Sequence, residues 1–303
     1  MVSTEAFNEH RPLLFSLAYR MLGSVADAED VVQEAFLRWH RATGSGDSSD
    51  SSDEQAVRSP RSYLCTVVTR LCIDQLRSAR VRREVYVGPW LPEPLVEPGA
   101  SDPTEELELA DSLSMAFLVL LESLSPEERA VFLLRQVFDY DYAEIARIVN
   151  KSEANCRQMV RRAQQHLAER RPRFNATPEQ REQLTHTFIQ TCTNGDMEGL
   201  LSLLTQDIVL YSDGGGKTQA ALKPIYGQNN VARFIFGVLD KLPPGASFTV
   251  KTATVNGQTG IVTYLDDQPN AVLSLDIAEG RIQGIYITVN PDKMQHVPPV
   301  EQG

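Results

Sequence analysis

The sequence predicts a multidomain protein in which two all-α domains precede an α+β domain. Three observations carry that expectation. Ser125 to Arg173 reads as a helix, a break, a short helix, a turn and a longer helix with one apolar and one polar face. Two stretches without helical pattern, Gly44 to Gln55 and Gly88 to Thr104, divide the chain that precedes it. After Arg173 short helices give way to runs of alternating apolar and polar residues separated by turns, which is the mark of a sheet.

The totals fit a folded protein. At 303 residues with 42% hydrophobic content the chain is long enough for two or three domains. No apolar run approaches the ~20 residues that span a bilayer. Met1 to His10 is too polar for a secretory signal, so a cytoplasmic protein with no membrane partner is expected. Cys65, Cys72, Cys156 and Cys192 form no CxxC pair and no metal spacing, and read as reduced thiols with no metal site. The net charge of −11 is unevenly spread. Pro60 to Pro89 carries six arginines against Asp74 and Glu84, a local +4. Glu153 to Arg173 carries six against Glu153 and Glu169, again +4. Thr177 to Gly303 has eight Lys or Arg against thirteen Asp or Glu, or −5. Two basic islands in an acidic chain suit a protein that holds DNA weakly alone and firmly when a larger partner keeps it there.

In order, Thr4 to Leu22 has a helical apolar stripe and Gly23 stops it, with Ser24 or Asp27 able to cap the next helix. Asp27 to Arg41 is helical, with Ala28, Val31, Val32, Ala35, Phe36 and Trp39 apolar and Asp27, Asp30, Gln33, Glu34 and Arg38 polar. Gly44 to Gln55 is an acidic Ser/Asp loop of low complexity. A long helix follows from about Pro60 to Arg83, and its arginine-rich second half either complements the helix dipole or meets phosphate. Gly88 to Thr104 holds five prolines and forms a stiff linker, yet Trp90-Leu91-Pro92-Glu93-Pro94 is apolar enough to dock on something. Helical pattern resumes at Glu105. At Ser125, an N-cap residue is followed by Pro126, Glu127 and Glu128, all helix-start signals. Asn150 suits a left-handed turn and Ser152 a cap before a helix from about Glu153 to Arg170. That helix buries Cys156, Val160, Ala163 and Leu167 and presents Asn155, Arg157, Gln158, Arg161, Arg162 and Gln165. This is a helix-turn-helix pattern, whose second helix enters the major groove; a merely solvated hairpin is the alternative. Helices over Thr177 to Asn194, Met197 to Leu204 and Asn229 to Leu242, a strand at Asp207 to Ser212, and four strands from Ser247 onward predict helices first and an antiparallel curved sheet last.

These residues resemble extracytoplasmic-function (ECF) sigma factors of bacterial RNA polymerase. DAEDVVQEAFLRW is similar to the signature helix of sigma region 2, PRSYLCTVVTRLCIDQLR to the helix after it, and the stretch from Leu124 to Leu167 to region 4. Regions 2 and 4 cover roughly residues 4 to 172. The last third resembles the subgroup, of sigma factor J type, with a fused SnoaL-like domain of cone shape. Three motifs of that subgroup occur in order: WLPEP at Trp90 to Pro94, DGGGK at Asp213 to Lys217, and NPDK at Asn290 to Lys293, followed by Met294 where leucine is expected. The implied domains are 1–87 (region 2), 88–108 (linker), 109–173 (region 4) and 174–303 (SnoaL-like).

The resemblance also implies roles. Asp27, Asp30, Gln33, Glu34, Arg38 and Trp39 would meet the β′ clamp of core RNA polymerase, and region 4 the β flap. Tyr63, Arg77, Arg80 and Arg83 would help open and hold the promoter −10 element. Glu153, Asn155, Arg157, Gln158, Arg161 and Arg162 would read the −35 element. Trp90, Leu91 and Pro92 would dock on Asp213, Gly214, Gly215, Gly216, Lys217, Asn290, Pro291, Asp292 and Lys293, letting the last domain regulate the rest in cis, with the free protein a monomer. The acidic loop would repel phosphate, so it bulges away from DNA or −10 reading is modified. A catalytic last domain would need an ionisable group in an apolar cavity, with Asp213, Asp292 and His186 as candidates. The two aspartates read as turn caps, so no catalytic residue, no cofactor and no enzyme is expected. An unidentified small-molecule ligand in that domain, or a dimeric helix-turn-helix regulator with a ligand domain, are the other readings.

Overall fold

The computed structural model describes residues 2–44, 59–83, 86–97, 112–168 and 176–300, without the side chains of residues 2, 3 and 79–83. The acidic loop lies outside the described residues, as does the first part, up to residue 111, of the helical pattern expected from Glu105 to Leu124, whose described part is helical over Met115–Leu121. The chain forms two compact units, Met1–Glu84 with Leu120–Arg170, and Val85–Val119 with Arg171–Gly303.

In the first unit α1 (Val2–Leu22), α2 (Val25–Gly44) and α3 (Pro60–Arg83) pack together. Gly23 ends α1 at φ +68°. The Ser24 hydroxyl accepts from the Asp27 N–H at 3.3 Å, so Ser24 is the residue that caps α2. Phe7 meets Phe36 edge-on at 5.0 Å, which fastens α1 to α2. After the short α4 (Met115–Leu121), of which Leu120 and Leu121 belong to this unit, α5 (Pro126–Gln136), α6 (Tyr142–Val149) and α7 (Glu153–Ala168) complete it. Ser125 with Glu128, and Asp141 with Glu144, form reciprocal capping boxes at the starts of α5 and α6. Asn150 closes α6 in the left-handed region (φ 53°, ψ 52°), and Ser152 accepts from the Asn155 N–H to start α7. Cys156, Val160, Ala163 and Leu167 are buried together with Met159.

One buried arginine ties these helices together. Arg129 of α5 is 3% exposed. It donates to the Met21 carbonyl of α1 at 2.6 Å, to the Leu121 carbonyl of α4 at 3.0 Å, and to the Glu122 carboxylate at 2.7 Å. Two helix C-termini thus receive a cation where their carbonyls lack helical donors.

The second unit holds α8 (Pro178–Thr193), α9 (Met197–Leu203) and α10 (Gln228–Leu239) with seven strands: β1 (Val96–Glu97), β2 (Leu204–Asp213), β3 (Ile225–Tyr226), β4 (Phe248–Val255), β5 (Gln258–Leu265), β6 (Gln268–Ala278) and β7 (Arg281–Thr288). The strand order is β1-β4-β5-β6-β7-β2-β3. The strands after Ser247, β4 to β7, pair antiparallel as expected, and β2 joins them by pairing with β7 in parallel. β2 reaches the rest of the sheet through α10, a crossover, whereas β4 to β7 are joined by hairpins. Register shifts at Thr263/Tyr264 and Asp276/Ile277 add bends of the kind bulges produce. Strand alternation separates the two faces. Ile261 joins the helix-covered core with Phe188, Leu200, Val231 and Ile285, while Val262 joins Val255, Tyr264, Met294 and Val297 on the other face. The linker is not a spacer here. Its β1 adds to the sheet edge by pairing Val96 with Val255, and the Leu95 carbonyl accepts from the Asn256 N–H at 2.8 Å.

Arg129→Ala is expected to cost about 3–5 kcal/mol in urea unfolding of the first unit, since it withdraws a buried cation from a carboxylate and two carbonyls. Arg129→Met should cost less, because it keeps the packing volume. At the turn, Asn150→Gly should leave stability nearly unchanged while Asn150→Val loses about 1–2 kcal/mol, the penalty of the left-handed region.

Candidate nucleic-acid interface and linker seat

Helix α7 presents Asn155, Arg157, Gln158, Arg161 and Arg162 as exposed side chains on one polar face, with Glu153 half-buried at its start. Arg157 is braced: it pairs with Glu153 at 2.7 Å and lies over the Tyr142 ring at 4.9 Å. Arg135 lies over the same ring at 5.4 Å. Such a face has guanidinium and amide groups of the kind that read guanine and adenine edges.

On α2, Asp30, Gln33 and Arg38 are exposed, Asp27 and Glu34 half-buried, and Arg38 pairs with Glu34 at 2.8 Å. Trp39 requires a correction. It is 3% exposed and its ring meets that of Tyr63 at 5.8 Å, so it packs in the helical core and is not part of the exposed face. On α3, Tyr63 is half-buried for the same reason. Arg77 is exposed and held by Glu127 of α5 at 2.5 Å, with Asp74 at 3.4 Å. That pairing raises the Arg77 pKa further, chiefly through the hydrogen bond to Glu127. The side chains of Arg80 and Arg83 lie outside the described residues. Arg70, a member of the same basic run, donates to the Ile148 and Arg147 carbonyls at 2.9 and 3.1 Å and so caps the C-terminus of α6. The sequence offers Glu127 as a helix-start signal and Arg70 as one of a basic run; what it does not show is that each holds a partner on a helix far away in the chain.

The three short motifs meet in the second unit. Asp213, at the end of β2, is fully buried. Its carboxylate accepts from the Tyr86 hydroxyl at 2.6 Å, the Leu91 N–H at 2.8 Å, the Gly215 N–H at 3.0 Å and the Lys293 ammonium at 2.8 Å. Lys293 also donates to the Leu91 carbonyl and lies over the Trp90 ring at 4.2 Å and the Tyr86 ring at 5.3 Å. Asn290 donates to the Tyr86 hydroxyl at 2.9 Å and accepts from the Asp292 N–H at 3.1 Å. Burial, and after it the bond to Asp213, pushes the Tyr86 phenol well above its ordinary pKa. Gly215 has φ +58°, and a Cβ there would lie 2.4 Å from the Asn290 amide nitrogen. A Cβ on Gly214 would lie 2.7 Å from the Thr218 carbonyl oxygen. Lys217 pairs with Asp292 in water, both more than half exposed, and joins DGGGK to the turn at Pro291 to Lys293. Leu91 is fully buried with Met115 and Tyr286. Pro92 is buried too. Tyr86 was missed by sequence reading; the signal was its aromatic ring four residues ahead of Trp90.

The helix-covered face of the same sheet encloses a cavity of about 590 Å³, between α8, α10 and strands β2 and β4 to β7. Phe188, Phe234, Ile235, Leu273 and Ile287 supply apolar wall. Ser212, Thr263 and Asn270 supply hydroxyl and amide groups, and Asn270 donates to Thr263 at 3.4 Å. Among the described residues no acidic, basic or histidine side chain lines it. Burial pushes the Cys192 thiol on its wall up to about 12. The three ionisable groups the sequence offered for acid–base chemistry are elsewhere: Asp213 in the linker seat, and Asp292 and His186 exposed. Among the described residues no His/Cys/Asp/Glu cluster could hold a metal, and no helix is long and apolar enough to cross a membrane.

Comparison with known proteins gives these features a family. Residues 6–82 match Sigma-70 region 2 and residues 114–167 match Sigma-70, region 4. The chain is 35% identical over 304 residues to the ECF RNA polymerase sigma factor SigJ of Mycobacterium tuberculosis, covering 97% of this chain and 93% of that one. It is 32% identical to the probable ECF RNA polymerase sigma factor SigI of the same organism, covering 95% and 93%. The crystal structure of Mycobacterium tuberculosis SigJ superposes with a TM-score of 0.75 at 32% identity, covering 99% of this chain and all of that one. With that similarity running through both helical regions and the α+β domain, the chain belongs to the ECF sigma factors of RNA polymerase.

Proposed function

We propose that this protein binds core RNA polymerase in the cytoplasm, reads −35 and −10 promoter elements and starts transcription, under control in cis by its α+β domain. The observation that carries the reading is the braced polar face of α7, at the end of a capped helix-turn-helix, in a chain of this family. Residues 109–173 take the −35 element through Asn155, Gln158, Arg157, Arg161 and Arg162. Residues 1–87 take the β′ clamp through Asp27, Asp30, Gln33, Glu34 and Arg38, and the −10 strand through Tyr63, Arg77, Arg80 and Arg83. The β flap takes region 4. Residues 174–303 regulate through the linker, 88–108, and perform no catalysis; in support, the cavity on the helix-covered face of their sheet is lined, among the described residues, by no acidic, basic or histidine side chain. Free of polymerase, the protein is a monomer.

Control in cis follows from reach. The two promoter elements lie roughly 25 base pairs apart, about 85 Å of duplex at ~3.4 Å per base pair. In the free protein Arg70 of α3 caps α6, and Arg77 is neutralised by Glu127 of α5. These contacts, and that of Arg129 with the Met21 carbonyl of α1, have to break for the two readers to separate, and the Glu127 contact has to break for Arg77 to meet phosphate. The segment joining the readers is the one that Asp213 and Lys293 hold, so release or retention of the linker sets how readily the first unit opens.

Promoter-directed transcription with purified core polymerase tests both parts. Arg161→Ala with Arg162→Ala should lower initiation by about tenfold or more, the loss of one or two base or phosphate contacts. Full-length Asp213→Asn should change initiation several-fold with the helical circular dichroism retained. If the unaltered chain neither associates with core polymerase nor initiates, the assignment fails; if Asp213→Asn behaves as the parent, control through the linker fails.

A further inference from the structure

The cavity of the α+β domain is built for a ligand of definable chemistry, and its wall is continuous with the linker seat. At about 590 Å³ it falls within the range of small-molecule sites, ~300–1,000 Å³, and far exceeds a packing defect. A buried ion with no counter-charge costs several kcal/mol. A cavity without one acidic, basic or histidine side chain therefore rejects carboxylates, phosphates and amines. Its apolar wall rewards hydrocarbon or aromatic surface. Ser212, buried deep in it, and the Thr263–Asn270 pair nearer the exposed rim can each satisfy a hydroxyl or carbonyl.

Strand alternation makes the wall and the seat two sides of the same residues. Ser212 lines the cavity and Asp213, next in β2, holds Tyr86, Leu91 and Lys293 on the opposite side. Val289 lines the cavity and Asn290, next in the chain, holds Tyr86. The two pairs are joined, since the Val289 N–H donates to the Asp213 carbonyl at 2.9 Å. We infer that this cavity binds an uncharged, largely apolar small molecule bearing one or two hydrogen-bonding groups, and that its occupancy stiffens the Ser212–Asp213 and Val289–Asn290 steps and so retains the linker in its seat. The second half rests on the proposed control through the linker. Filling the void supplies partner atoms that the wall lacks when empty, and binding to the closed domain alone lowers the population of locally opened forms.

The test uses the full chain and two probes of similar shape, uncharged N-phenyl-1-naphthylamine and anionic 8-anilinonaphthalene-1-sulfonate. Probe emission should report saturable binding of the uncharged probe at one per chain, with the sulfonate about tenfold weaker or more. Ala271→Phe fills the cavity wall; Val238→Trp obstructs its open rim, where Val238 is 49% exposed and a larger side chain leaves the fold intact. Each should weaken the uncharged probe by about tenfold or more. At saturation, amide hydrogen exchange at Leu91 should slow about tenfold. Equal binding of both probes, absence of saturable binding, or binding indifferent to Val238→Trp overturns the site. Variant-sensitive binding with unchanged exchange at Leu91 overturns the coupling to the seat. Neither result touches control by the seat itself, which the transcription of Asp213→Asn reads separately.

Discussion

A carboxylate taken out of water costs several kcal/mol unless charge and hydrogen bonds replace its hydration, and Asp213 is fully buried. Its replacements come from the linker (the Tyr86 hydroxyl and the Leu91 N–H), from its own loop (Gly215), and from Lys293 past the last strand. Two of those four donors leave if the linker leaves. The sheet end can therefore hold a carboxylate there at low cost only while residues 86–91 are seated. The glycines of the motif follow from the same constraint, because side chains at 214 and 215 would occupy the space of Thr218 and Asn290. The aromatic pair Tyr86 and Trp90 closes the site by lying against the Lys293 ammonium.

The first unit uses cations in a related way. Arg129 and Arg70 both bind backbone carbonyls at helix C-termini, one buried and one exposed. Their energetic weights differ accordingly. Removal of the buried one strands desolvated acceptors, whereas the exposed one competes with water and can exchange its carbonyls for other acceptors. Arg129 thus joins α1 to α4 and α5 inside the helical unit, and Arg70 joins α3 to α6 at its surface.

Much of this was legible from local chemistry. The caps at Ser125 and Ser152, the left-handed Asn150 and the buried stripe of α7 depend on neighbours within four residues, and sequence carries such information directly. The three motifs of the seat were legible as motifs by resemblance. What escaped depended on partners distant in sequence. Trp39 belongs to an apolar stripe and also adjoins Arg38; only the packing of α3 with Tyr63 decides that it is core. The β2–β7 pairing is parallel because a crossover precedes it, which alternation within a strand cannot reveal. Strand β1 has two residues, too short for any periodicity, and exists because Asn256 and Val255 complete it. Tyr86 is one aromatic among nine tyrosines until Asp213 is placed beside it.

The most direct test of the account is amide hydrogen exchange across residues 86–97 in the full chain, compared between the parent and Asp213→Ala. Protection at Leu91 and Leu95 in the parent should be lost in the variant, with strands β5 to β7 still protected. Protection of the linker that persists without the carboxylate would contradict it, and would mean that the apolar contacts of Leu91 hold the segment on their own.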